Sequence, residues 1–150
     1  MVASTRAIFK RRGSILPTAI ILKADKSSII LSTEFKGDTD KFIFDKRIKE
    51  ACKNADVIAV LFFSEAWTKA INKGEESEYL NPNGSVKAPI RDMYGKKECI
   101  IFNFETKLFA QSSFIEIIRE GDTVTLMEEK TGGTGSGRFH DLLVMPLNKN

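Results

Sequence analysis

Asp56-Val57-Ile58-Ala59-Val60-Leu61-Phe62-Phe63 is the stretch that decides the architecture. After the opening aspartate every position is apolar, so a strand built from it is apolar on both of its sides. Such a strand is stable only in the interior of a sheet that is covered above and below. The run predicts a central strand over 56–63. At its far end follows Ser64-Glu65-Ala66-Trp67, at the mouth where a strand delivers side chains to a site.

Working outward, residues 15–23 and 28–33 are β-branched runs separated by Ala24-Asp25-Lys26-Ser27, which reads as a hairpin. Pro17 near the start of the first run suits an edge position or the first strand residues. Gly37-Asp38-Thr39 leads into a helix over 40–54. There Phe44, Ile48, Ala51, Cys52 and Ala55 recur at three- and four-residue steps as one apolar stripe. Downstream, 68–73 suits a short helix and 74–89 is a long polar loop. Strands are expected over 97–106, 111–119 and 123–129, the last two joined by Glu120-Gly121-Asp122. A Gly-rich loop over 131–137 and a helical turn over 138–144 follow. Hairpins dominate and no βαβ rhythm occurs, so the expectation is a single α+β domain over 1–150. Its antiparallel sheet has five to six strands (hairpin, central strand, three-strand meander), with one main helix packed on a face.

The bulk composition agrees with a packed domain. Of 150 residues, 42% are apolar and 29% charged, which is enough apolar surface to build a core. Phenylalanine contributes 11 residues, many beside isoleucine or leucine in the expected strands. The two cysteines, Cys52 and Cys99, sit in apolar segments without a C-x-x-C pattern, so they read as free buried thiols in a reducing compartment. No run approaches the length of a membrane span, and no apolar segment follows the N-terminal charges as in a secretory signal. A cytoplasmic location is the expectation, in a cell or in a virus replicating in one.

The net charge is only +3, but Arg6, Lys10, Arg11 and Arg12 concentrate positive charge in a basic N-terminal helix over 1–13, and no acid accompanies them. Together with Arg138 they are the residues that would contact an anion or a nucleic-acid backbone. The competing reading is a solvated helix face. The glycines of 131–137 lack the lysine of a phosphate-binding loop, and a flexible loop explains them better. His140 is the sole histidine and has no nucleophile-elbow serine, so a surface role fits it best. No catalytic residue, metal site or cofactor is assigned.

The acids are the remaining chemistry. Glu65 ends the central strand, and Asp92, Glu98 and Glu105 lie in or near the next one. If those strands pair, Glu65 could approach Asp92 or Glu98, and gathered carboxylates can hold Mg²⁺ or transfer protons. Arg91 or Lys96 could instead neutralise them as a salt-bridged strand end. Trp67 either frames this mouth or closes the core beneath the 74–89 loop.

The run from Ala55 to Trp67 resembles the strand ending in a (V/S)-S-E-A-W signature found in some uncharacterised small phage and bacterial proteins. Those proteins are similar in their upstream hairpin with a proline, matched here by Pro17 to Thr33, and in a D-R-x-E segment that opens the next strand. The counterpart here, Arg91 to Glu98, has extra residues between Asp92 and Glu98. The resemblance implies no activity; it implies a phage or mobile-element setting and marks Glu65, Trp67, Asp92 and Glu98. The expectation is a non-catalytic phage-type accessory or interaction protein, virion-associated or host-directed. Its partner would be a protein: itself, a virion component or a host factor. The alternatives are a small-ligand or Mg²⁺-dependent enzyme using the acids near Glu65, and a weak nucleic-acid binder acting through the basic N-terminus.

Overall fold

The computed structural model describes residues 2–132 and 142–143. Six strands, β1 (Thr18–Lys23), β2 (Ser28–Ser32), β3 (Val57–Thr68), β4 (Lys97–Thr106), β5 (Ala110–Glu120) and β6 (Thr123–Thr131), form one antiparallel sheet in the order β2-β1-β3-β4-β5-β6. This is the α+β architecture expected, with the upper strand number. Helices α1 (Val2–Arg12) and α2 (Asp38–Cys52) precede β1 and β3 respectively.

β3 is interior, paired with β1 on one side and β4 on the other. Its two faces belong to two separate cores. On one face Val57, Val60 and Phe62 pack with Ala19, Ile21 and the α2 residues Phe44 and Ile48. On the other, Phe63 joins Ile100, Phe102, Ile115 and Ile117 beneath Phe9 of α1. A break in the alternation makes this possible. The β1–β3 register shifts between Leu22 and Lys23, which leaves Ile58 as an extra residue in β3. Val57 and Ala59 would otherwise share a face. The bulge turns Val57 into the α2 core while Ile58 stands 44% exposed.

The second covering helix is the main departure from the expected single one. The basic helix is not a free, solvated arm, because Phe9 is 1% exposed and Thr5 is buried with it. Arg6 is committed to the fold as well. Its guanidinium donates to the Leu126 and Met127 carbonyls, at 3.4 and 2.5 Å. Those carbonyls lie at the β5–β6 register shift between Ile115 and Ile117, where Leu126 keeps its β5 partner and Met127 has none, so the guanidinium supplies a donor at the bulge.

Other boundaries also move. β3 runs on through Ser64-Glu65-Ala66-Trp67 to Thr68, so these residues lie within the strand and not beyond it, and no helix forms over 68–73. Strand β4 supplies partners as far as Thr68↔Lys97, which keeps the extension paired. The first hairpin strand is not an edge. Pro17 precedes β1, where its missing N–H is not required, and β2 takes the outer position. The polar 74–89 segment contains α3 (Glu76–Tyr79) and an isolated Leu80↔Val86 bridge, and a 3₁₀ turn at Ile90–Asp92 follows it. Most of the Gly-rich loop, the turn expected over 138–144 (apart from Leu142 and Leu143), Arg138 and His140 lie outside the described residues.

Docking of α1 through one aromatic side chain gives a direct test. Phe9→Ala should destabilise the protein by about 3–5 kcal/mol, the cost of deleting a buried phenylalanine. Urea unfolding would measure it, and a loss within the range of a surface substitution would mean that α1 is not packed on the sheet.

Candidate functional site

Odd-numbered β3 residues beyond the bulge and even-numbered β4 residues share the α1 face, so Glu65 and Glu98 lie on the same side of adjacent strands, one step out of register. In-phase alternation on β5 puts Arg119 beside them, following Ile115 and Ile117. Its guanidinium grips Glu98 with both prongs, Nε to Oε2 and Nη2 to Oε1, each at 2.8 Å. It stands 3.8 Å from Glu65 Oε2 and donates to the Gly13 carbonyl at 3.4 Å. The guanidinium carbon lies 5.5 Å from the centre of the Phe9 ring. The other oxygen of Glu65 accepts the Ile15 N–H at 2.5 Å.

Two of the four marked residues, Glu65 and Glu98, therefore converge. What joins them is Arg119, not Arg91 or Lys96. The cluster ties the segment between α1 and β1 to the middle of the sheet. Burial raises the Glu65 carboxyl above its ordinary range. The Ile15 N–H pulls it down, the nearby Glu98 charge pushes it up again, and Arg119 opposes the rise. Two carboxylates sharing one guanidinium form a clamp, and neither presents an open pair of oxygens to a cation. Among the described residues no group of three or more His, Cys, Asp or Glu side chains could hold a metal ion.

The other marked residues stand apart from the clamp. Trp67 pairs with Glu98 in the ladder but is 44% exposed, with the Lys96 ammonium 5.2 Å from its ring centre. It does not close the core. Asp92 sits exposed in the 3₁₀ turn, 3.8 Å from its neighbour Arg91. Glu105 is seven residues from Glu98, an odd step, so it lies on the α2 face. There it is 1% exposed, accepts the Leu143 N–H at 2.9 Å and leaves its second oxygen without a hydrogen bond. Both cysteines are free. Burial pushes the Cys52 and Cys99 thiols up to about 11, so neither is an activated nucleophile. Of the basic residues marked in α1, Lys10, Arg11 and Arg12 are exposed, while Arg6 is spent on β6.

A feature with no local sequence signature lies beside α1. The helix covers only part of its face of the sheet. The register sets Ile30, Ile20, Leu61 and Phe104 in one row across β2, β1, β3 and β4. With Leu22, Ala59, Phe102 and Val2, the last three of these line a groove of about 370 Å³. Gln111, Ser113 and Glu129 form its polar end, where Ser113 Oγ donates to Glu129 Oε1 at 2.6 Å. Finding it from sequence would have required the strand order and register, which join residues far apart in the chain.

No family model matches the chain, and neither the curated proteins nor the solved structures contain a significant match to it. No helix among the described residues is long and apolar enough to cross a membrane.

The clamp predicts a pH signature. With its value raised in the folded state, Glu65 holds a proton to higher pH than it does unfolded. Its contribution to stability is therefore greatest at low pH and falls as pH rises from the ordinary carboxylate range through the raised value. Glu65→Gln stays neutral and can still accept the Ile15 N–H. Its stability relative to the wild type should rise as pH climbs from the ordinary carboxylate range through the raised value of Glu65. Glu65→Ala, which strands that N–H, should cost about 1–3 kcal/mol. Thermal unfolding across pH measures both. A Gln variant that tracks the wild type at every pH would remove this account.

Proposed function

We propose that the chain is a non-catalytic interaction domain that receives an apolar side chain of a partner protein in the groove beside α1. One observation carries this reading. A cleft of about 370 Å³ with mainly apolar walls lies on the exposed part of a sheet, while Glu65, Glu98 and Arg119, at the other end of that face, are tied up with one another. The volume falls in the range of sites that take a small molecule or a large side chain, and the few polar groups sit at one end, where they can orient what enters. Leu22 and Phe104 along its walls are more than a third exposed, so the cleft is open at the surface. That shape suits an anchor residue on a longer segment better than an enclosed metabolite. An accessory role in a phage particle or on a host component is the setting that the resemblance around Trp67 implies, and a cytoplasmic location goes with it. The enzyme alternative has less support, because the acids it needs share a guanidinium. The nucleic-acid alternative retains Lys10, Arg11 and Arg12 but loses Arg6 to the fold.

The test fills the groove without cutting into the core. Ala59→Phe places a ring on a small residue of the groove wall. The wild type should bind anilinonaphthalene sulfonate saturably at one site, and should select peptides with large apolar anchors from a displayed library. The Ala59→Phe protein, folded by circular dichroism, should bind both at least about 10-fold more weakly, a loss of about 1.4 kcal/mol. Equal binding by the two proteins, or none by either, would overturn the reading.

A further inference from the structure

The two edges of the sheet are treated differently. At β6 the outer strand is bulged, carries Glu128, Glu129 and Lys130, and has two carbonyls capped by Arg6. These are the usual devices that stop a strand from pairing further. At the opposite edge, β2 reads Ser28-Ile29-Ile30-Leu31-Ser32, with no charge, proline or bulge, and Ile30 is 64% exposed.

That edge is self-complementary. Ser27 and Thr33 exchange backbone hydrogen bonds with the β1 side, through Lys23 N–H to Ser27 O and Thr33 N–H to Pro17 O. By alternation, Ser28, Ile30 and Ser32 turn their N–H and C=O groups outward. An antiparallel copy centred on Ile30 sets Ile30 against its own counterpart, Ser28 against Ser32, and Ile29 against Leu31. The outward-facing pairs fall in hydrogen-bonded register. Apolar meets apolar, and hydroxyl meets hydroxyl.

The α2 helix turns one side toward this edge. Asp40, Ile43 and Arg47 follow one another at three- and four-residue steps. All three line a small cavity with Thr33, the residue after β2, so they occupy the β2 side of the helix. Ile43 is 50% exposed. A two-fold axis at Ile30 runs the two α2 helices antiparallel on the same face of the joined sheet. α2 packs over β1 and β3, so the two helices stand back from the joined edge and leave it clear.

We infer that β2 is a homodimer interface and that its partner is a second copy of this chain, joined by two-fold antiparallel β2–β2 pairing into one continuous sheet. Because β6 is blunted, the assembly closes at two and does not extend as a fibre. This inference is independent of the groove, whose lining excludes Ile30.

Sedimentation equilibrium from low to high micromolar concentration should show the wild type passing from monomer to dimer. Ile30→Lys substitutes an exposed side chain, so the monomer fold survives. The opposed ammonium groups should weaken association on the order of 100-fold or more, a loss of about 2.8 kcal/mol. In a Cys52→Ala background, Ile30→Cys should form an intermolecular disulfide, since paired Cα atoms in this register lie about 5.5 Å apart. Ser28→Cys and Ser32→Cys should each fail to cross-link alone and should cross-link when mixed. A wild type that stays monomeric throughout, a dimer that survives Ile30→Lys, or a dimer in which Ile30→Cys does not cross-link would each overturn the proposal.

Discussion

A strand with apolar side chains on both sides must be buried from both sides, and the arrangement of the other elements follows from meeting that condition for β3. One helix cannot do it. α2 covers the face over β2, β1 and β3, and α1 covers the opposite face over the other half of the sheet. The bulge at Ile58 is the local adjustment that lets β3 serve both cores, since it sends Val57 to one and leaves Ala59 to the other. Because each helix shields about half of one face, parts of the sheet stay uncovered by the described residues, and the groove beside α1 is one of them.

The strands were legible because their signals are local. The 56–63 run announced an interior strand, the stripe of Phe44, Ile48 and Cys52 announced α2, and Gly121 marked the last hairpin. The extension of β3 through Trp67 was not legible. Ser64, Glu65 and Thr68 look like a strand's exit, and only pairing with β4 as far as Lys97 holds them extended. The packing of α1 was hidden for a similar reason. Its four cations dominate the composition, whereas its attachment rests largely on Phe9 and on a guanidinium bonded to a distant strand.

The candidate site was half legible. Parity along two paired strands is enough to set Glu98 beside Glu65 and Glu105 on the far side. Arg119 is equally available by parity, two residues beyond Ile117, but an arginine closing a hairpin strand is commonplace and carries no local signal of its partners. Asp92 was misjudged because the tight turn around Gly95, at φ 72°, separates it from the start of β4. The groove and the β2 edge depend on strand order, which short-range patterns do not encode.

The bond from Arg6 to the carbonyls of β6 bridges about 120 residues of chain. During synthesis the helix carrying Phe9 leaves the ribosome well before the surface that will bury it, since Ile115 and Ile117 come from β5 and the Arg6 acceptors from β6. Contacts so far apart in sequence form only after the strands between them have come together. The α1 face is therefore assembled late, and until then an aromatic residue among uncompensated cations is open to chaperones and to neighbouring nascent chains.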